Sequence, residues 1–466
     1  MPRPFRWISV LLAVTVAFGI FAGATNAQAA NPINHIVVIY LENHSFDNLY
    51  GQFAGANGLD KATDTVTQVD KDGKVYTTLP KPINGNLKPA GPDTRFTTDL
   101  PNKPFDIDPF VSLDMETGDL VHRFYQEQMQ IDGGKMDKFA AISDAAGLSM
   151  GYYDTSKLAL AAWAKKYTLA DNFFHAAFGG SFLNHFWLVC ACSPVWKDAP
   201  ADRVAKLDDK GAVVTDGAVT PDGYVVNTSF SYYSPHPVNV DAGHLVPPQT
   251  MPTIGDRLND KNVSWAWYSG GWNDALAGHP DPLFQYHHQV FAFFKNYGDG
   301  TDGRKAHLKD EKDFMAALKD GSIPAVSFVK PLGEENEHPG YANTAEGEKH
   351  VADMLTAIQT SPAWKDTVVI ITYDENGGFR DHVAPPKIDK WGPGVRVPTI
   401  IISPFAKKGF VDSDQMDTTS ILAFIENRYG LDPLGDRDKA ANNMLSAFDF
   451  SQKPDSAVST MAATQP

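Results

Sequence analysis

The apolar positions of this chain fall into short unbroken runs that stop abruptly on polar residues. Thr367-Val-Val-Ile-Ile-Thr-Tyr373 and His35-Ile-Val-Val-Ile-Tyr-Leu41 lack polar alternation, the pattern of strands buried on both faces of a parallel sheet. Similar runs at 263–268, 325–331 and 397–403 predict three more strands. Between the runs, helical spacing appears at 155–167, 253–258, 347–360 and 419–429, and in part over 120–139. An apolar run opening at Ser181, just after Gly179-Gly180, predicts a helix with that hydroxyl at its N-terminus. Strands alternating with helices predict an α/β fold with a mostly parallel central sheet flanked by helices. Turn-rich segments at about 60–110 and 196–250 read as β-rich insertions. Hairpins are expected around Lys71-Asp72-Gly73, Asp209-Lys210-Gly211 and Pro221-Asp222-Gly223.

The ends of two strands carry the chemistry. One run stops on Asp374-Glu375-Asn376-Gly377-Gly378, the other on Glu42-Asn43-His44-Ser45. In open α/β sheets, ligands bind beyond the carboxyl ends of strands. Adjacent carboxylates there are costly unless they meet a cation or protons. Glu42, Asn43, Asp374 and Glu375, with the Ser181 hydroxyl, make a set of hard oxygen donors. Such a set suits one divalent cation such as Mg²⁺, Ca²⁺ or Mn²⁺. The cation would acidify Ser181 and polarise a phosphoryl oxygen, letting the serine attack phosphorus through a phosphoseryl intermediate. A plain helix-capping role for Ser181 is the alternative.

His122, His287, His288 and His338 follow core elements. A free histidine titrates near about pH 6.5, so a cluster would be cationic in mild acid. It would bind phosphate oxygens and protonate a leaving alkoxide. Spacing alone does not separate these four from ordinary histidines, and His44, His175, His236, His244, His307 and His350 are read as ordinary. Asp381 and His382 are read as supporting groups.

The formal net charge of −16 over 466 residues argues against nucleic acid or an anionic membrane as a partner. Arg3 and Arg6, an apolar stretch over 8–24 and Ala27-Gln28-Ala29 read as a signal peptide cleaved near Ala29. A secreted or periplasmic location follows. No later run is long enough for a membrane-spanning helix. Residues 30–450 are expected to form one domain, and 451–466 a mobile tail. Cys190 and Cys192 sit too close for an ordinary loop-closing disulfide and are expected as small buried residues.

Three long motifs are specific. They are Glu42-Asn-His-Ser-Phe-Asp-Asn-Leu-Tyr-Gly51, Phe178-Gly-Gly-Ser-Phe-Leu-Asn184 and Thr372-Tyr-Asp-Glu-Asn-Gly-Gly-Phe-Arg-Asp-His-Val-Ala-Pro-Pro386. They resemble the bacterial phosphoesterase family that joins secreted respiratory-burst-inhibiting acid phosphatases to phosphatidylcholine-type phospholipases C, within the alkaline phosphatase superfamily. The resemblance recurs at 397–405 and 420–426, and so spans roughly 33–430. It implies an alkaline phosphatase-like fold and a single metal held by Glu42, Asn43, Ser181, Asp374 and Glu375. It also implies Ser181 as nucleophile, with Asn43, His122, His287, His288 and His338 around the phosphate. His288 and His338 are then the catalytic histidines. The chain departs from the family at Asp417-Thr418-Thr419-Ser420, where much of it reads Asp-His-Thr-Ser. The phospholipase branch resembles Pro-Thr-Trp-Pro-Asn-Arg at its nucleophile, against Gly180-Ser181-Phe182-Leu183-Asn184-His185 here. Serine as nucleophile, the His287-His288-Gln289 segment and the short length place it nearest the acid phosphatase branch, acting on small phosphate esters. The alternative is a phospholipase C acting on phospholipid with the same site. Nothing in the sequence sets the oligomeric state.

Overall fold

The computed structural model describes residues 31–63 and 66–454, together with Met1. The expected signal peptide and residues 455–466 of the expected tail lie outside the described residues. The main sheet contains β1 (His35–Leu41), β2 (Thr168–Ala170), β3 (Trp265–Ser269), β4 (Leu308–Asp310), β5 (Val326–Lys330), β6 (Thr367–Tyr373), β7 (Thr399–Ile402) and β8 (Phe410–Asp412). Their spatial order is β4-β3-β5-β1-β6-β7-β2-β8. Every pairing is parallel except those of β7, which runs antiparallel to both β6 and β2. The apolar runs explain the centre: all of β6 is buried, as is β1 after His35. Such strands need cover on both faces.

That cover includes α1 (Phe124–Ile131), α2 (Ser181–Cys190), α3 (Ile254–Asp260), α4 (Glu311–Asp320), α5 (Thr344–Thr360) and α6 (Thr418–Tyr429). α2 packs against α6, while α4 packs against α5 and the β3–β5 side of the sheet. Capping follows the sequence. Asn343 accepts from Glu346 N to start α5, and Gly321, at φ 75°, closes α4.

Two expectations need correction. Residues 155–167 do not form one helix. Asp154 caps a tight turn that ends extended at Leu158 (ψ 131°), and a helix resumes at Ala161–Lys166. The first expected hairpin is present, with Val69 paired antiparallel to Val75, and Thr65 at its expected start lies outside the described residues. Cys190 and Cys192 are bonded to each other. Ala191 adopts a left-handed conformation (φ 46°) at the end of α2, which brings the two Cα atoms to 5.1 Å. That separation lies within disulfide reach. The other two expected hairpins are present as Lys206–Leu207 paired with Val213–Thr215 and as a Val219–Val225 bridge.

Candidate active site

Leu41 and Tyr373 are partners in the parallel β1–β6 register, so the chain leaves both strands side by side. Glu42-Asn43 therefore lies beside Asp374-Glu375. Asn43 turns through a left-handed conformation (φ 68°) and donates its backbone N–H to Asp374 Oδ1 at 3.1 Å. The Gly-Gly pair permits this approach: a Cβ on Gly377, itself at φ 59°, would sit 2.2 Å from the Asn43 carbonyl oxygen. Across the site, Gly179 (φ 90°) passes the residue 123–124 backbone so closely that a Cβ would stand 2.4 Å from Phe124 N. This packing holds the His122 segment against the start of α2.

Ser181 is the first residue of α2, with Gly180 as the cap residue. Its hydroxyl is not spent on capping. It lies 3.1 Å from Glu42 Oε2 and 3.4 Å from Asn43 Oδ1. The Asn43 amide nitrogen donates to His338 Nε2 at 2.9 Å and lies 3.3 Å from His122 Nε2. His338 Nδ1 is 2.6 Å from the Pro339 carbonyl, and His122 Nδ1 is 2.5 Å from that of Leu120. Both rings therefore carry the proton on Nδ1 and present an Nε2 lone pair inward. His288 Nε2 lies 2.9 Å from Glu42 Oε1, and the His287 ring centroid is 4.7 Å from that of His288. The residues expected at the site thus meet in one place. Ser181, His287, His288 and His338 are buried, while His122 is partly exposed.

Burial sets the protonation of these groups. It pushes His287 well below the usual imidazole range, His288 down to about 4 and His338 also downward. Burial thus disfavours the cationic form of all three, against the cationic cluster expected in mild acid. Burial opposes the charge on Glu42, but His288 and Lys330 outweigh it and hold that carboxyl well below its usual range. Asp374 is pushed well above its range by burial and then by the Glu42 charge. Glu375 is pushed the same way by burial and then by Asp374.

These acids fit a divalent cation. Asp374 Oδ2 and Glu375 Oε1 are buried oxygens with no hydrogen-bond partner. Orphaned carboxyl oxygens beside a serine hydroxyl and an amide oxygen form the hard donor set such an ion takes. Glu42, Asn43, Ser181, Asp374 and Glu375 are the residues that would hold it.

Two residues of the cluster escaped the sequence reading. Lys330, the last residue of β5, has a fully buried ammonium paired with Glu42 Oε1. A lysine ending an apolar strand is a usable signal, because strand ends line such sites. His185 lies one helical turn after Ser181, with Nδ1 2.7 Å from the Ser181 carbonyl. It stacks on His288 at 5.2 Å, and its buried Nε2 has no partner. The i, i+4 spacing from Ser181 was legible and went unused.

Asp381 and His382 sit behind the site. Arg396, fully buried, grips Asp381 with Nε–Oδ1 and Nη2–Oδ2 contacts of 2.8 and 3.0 Å. It also reaches Asp47 Oδ1 at 3.2 Å, and Asp47 in turn holds His382 Nδ1 at 2.8 Å. The network joins the segments that follow β1 and β6. Thr418, where much of the family resembled above has histidine, caps no ligand. Its hydroxyl accepts from Ala176 N at 3.1 Å.

Comparison with known proteins adds the following. The profile of the Phosphoesterase family matches residues 33–432. Phospholipase C A of Mycobacterium tuberculosis is 27% identical over 466 residues, covering 91% of this chain and 78% of that protein. Non-hemolytic phospholipase C of Pseudomonas aeruginosa is 24% identical, covering 90% of this chain and 57% of its own length. Among solved structures, an alkaline phosphatase superfamily protein from Vibrio parahaemolyticus matches with TM-score 0.36 and 10% identity, over 64% of this chain and 65% of that one.

Proposed function

Because the chain belongs to the Phosphoesterase family, we propose that it is a secreted, metal-dependent phosphatase that cleaves phosphate monoesters through Ser181. The observation that carries this reading is the Ser181 hydroxyl. It faces Glu42 and Asn43, whose other side-chain atoms meet His288 and His338. A bound divalent cation would supply charge neutralisation at the phosphoryl oxygens and acidity at the serine hydroxyl.

The chain's own residues supply the rest. Ser181 Oγ forms the bond to phosphorus as the ester oxygen departs, and its proton passes to Glu42 Oε2, 3.1 Å away. Lys330 and His288 keep that carboxylate ionised and ready to accept. Asn43 holds the His338 ring in place by donating to Nε2. In mild acid beside an anionic substrate, that nitrogen gives up the Asn43 bond, takes up a proton and hands it to the leaving alkoxide. Water then cleaves the phosphoseryl bond. The acid phosphatase assignment is supported by the motif resemblance, and the near-complete burial of the site suits a small phosphoryl group.

The names of the mycobacterial and Pseudomonas relatives favour a second reading, cleavage of a phospholipid at the same serine. Purified protein assayed on p-nitrophenyl phosphate and on p-nitrophenyl phosphorylcholine separates the two. Turnover of the monoester supports the first reading. Turnover confined to the phosphorylcholine ester overturns it.

A further inference from the structure

A second cluster of ligand-type side chains lies away from Ser181, where α4, α5 and the loop after β5 meet. Glu311 opens α4, His350 projects from α5, and Glu335 belongs to the 333–335 turn that leads into His338. His350 Nε2 is 2.7 Å from Glu311 Oε1, and Nδ1 is 3.3 Å from Glu335 Oε1. One ligand atom from each of the three falls within 4.8 Å of the others. All three line a cavity of about 430 Å³.

An ion pair alone leaves one feature unexplained. Glu311 is 7% exposed, and its Oε2 is buried with no hydrogen-bond partner. A buried carboxylate oxygen without a donor is costly, and its residue lines a cavity large enough for an ion with its waters. Other acids nearby are already engaged: both Asp310 oxygens accept backbone N–H groups, and Asp281 Oδ1 accepts from Leu283 N. Glu311, Glu335 and His350 are left as the convergent donors.

We propose that Glu311, Glu335 and His350 form a second divalent-cation site that ties the His338-bearing loop to α4 and α5. One imidazole with two carboxylates suits Zn²⁺ or Mn²⁺ more than the all-oxygen preference of Ca²⁺ or Mg²⁺. Water from the cavity completes the shell. Without the ion, His350 is pushed up to about 10, against the effect of burial, by its bonds to Glu311 and Glu335. The proton then stands where the cation would. The proposal does not depend on Ser181 chemistry. A bound ion would fix Glu335, three residues before His338, and so acts on catalysis only by positioning.

The test is Zn²⁺ binding to the full mature protein after chelator treatment, read by calorimetry and by metal content after dialysis. Wild type should bind two ions. Glu311→Gln with His350→Gln should bind one, and Glu335→Gln should bind the second at least ~10-fold more weakly. Asp374→Asn with Glu375→Gln should instead lose the ion at the Ser181 centre and keep this one. Each variant's circular dichroism and chelated-state melting temperature are recorded, and Glu335→Gln serves if the double variant fails to fold. Zn²⁺ stoichiometry and affinity unchanged by Glu335→Gln, or by the double variant, would overturn the proposal and leave His350 as an ion pair.

Discussion

At the scale of single residues, the account rests on who holds whom around Glu42. Ser181→Ala should lower turnover by at least ~1,000-fold while leaving the melting temperature near that of wild type. Steady-state assays with matched thermal melts check both. Lys330 makes the sharper case, because its ammonium is fully buried against a buried carboxylate. Lys330→Met removes one partner of that pair and should cost about 3 kcal/mol of stability, measured by denaturant unfolding. It should also weaken the proton acceptor for Ser181, so activity falls even where the protein stays folded. Glu42, Asn43, Asp374 and Glu375 were legible because strand-end acids beside Gly-Gly have little structural reason to exist. Lys330 gave only a partial signal, since a single lysine at a strand end is also ordinary solvent-facing chemistry. Only the β5–β1 register, with Ile39 opposite Val329, turns it toward Glu42.

At the scale of elements, the sheet was largely readable and its exceptions had local causes. The runs at β1, β5 and β6 are unbroken because both faces are covered. The same apolarity at β7 could not reveal direction, and β7 runs antiparallel. The break at Leu158, where the backbone turns extended after the Asp154-capped turn, leaves no trace in apolar spacing. The Arg396–Asp381–Asp47 network shows how elements hold the site. Arg396→Met would leave buried Asp381 without its bidentate guanidinium, while Asp47 keeps Arg380, and should cost about 3 kcal/mol. Loosening the segments after β1 and β6 should also weaken metal retention, so metal content after dialysis is the second readout. A stability loss with metal content intact would confine Arg396 to a packing role.

At the scale of the whole molecule, pH acts through opposing buried groups. His44 and His288 are lowered by burial from 6.5 to about 4, so they bind fewer protons folded than unfolded. Their contribution to stability is present above about pH 6.5 and is lost as pH falls through 4. Burial raises Glu348 from 4.5 to about 8, and His350, held by Glu311 and Glu335, is raised from 6.5 to about 10. Both bind more protons folded, so their stabilisation is lost as pH rises through those values. In chelator, the melting temperature should therefore decline between pH 6.5 and 10. Glu348→Gln should flatten the part of that decline below pH 8. An unchanged slope in the variant would show that Glu348 ionises normally.

The central claim is that Ser181 becomes the phosphorylated group during turnover. Enzyme mixed with p-nitrophenyl phosphate, quenched within one turnover in acid and in parallel in alkaline denaturant, which preserves phosphohistidine, and then digested, should yield phosphate on the peptide that contains Ser181. The Ser181→Ala protein should yield none. Phosphate found on a histidine peptide, or product released in a burst with no covalent adduct, would contradict the account.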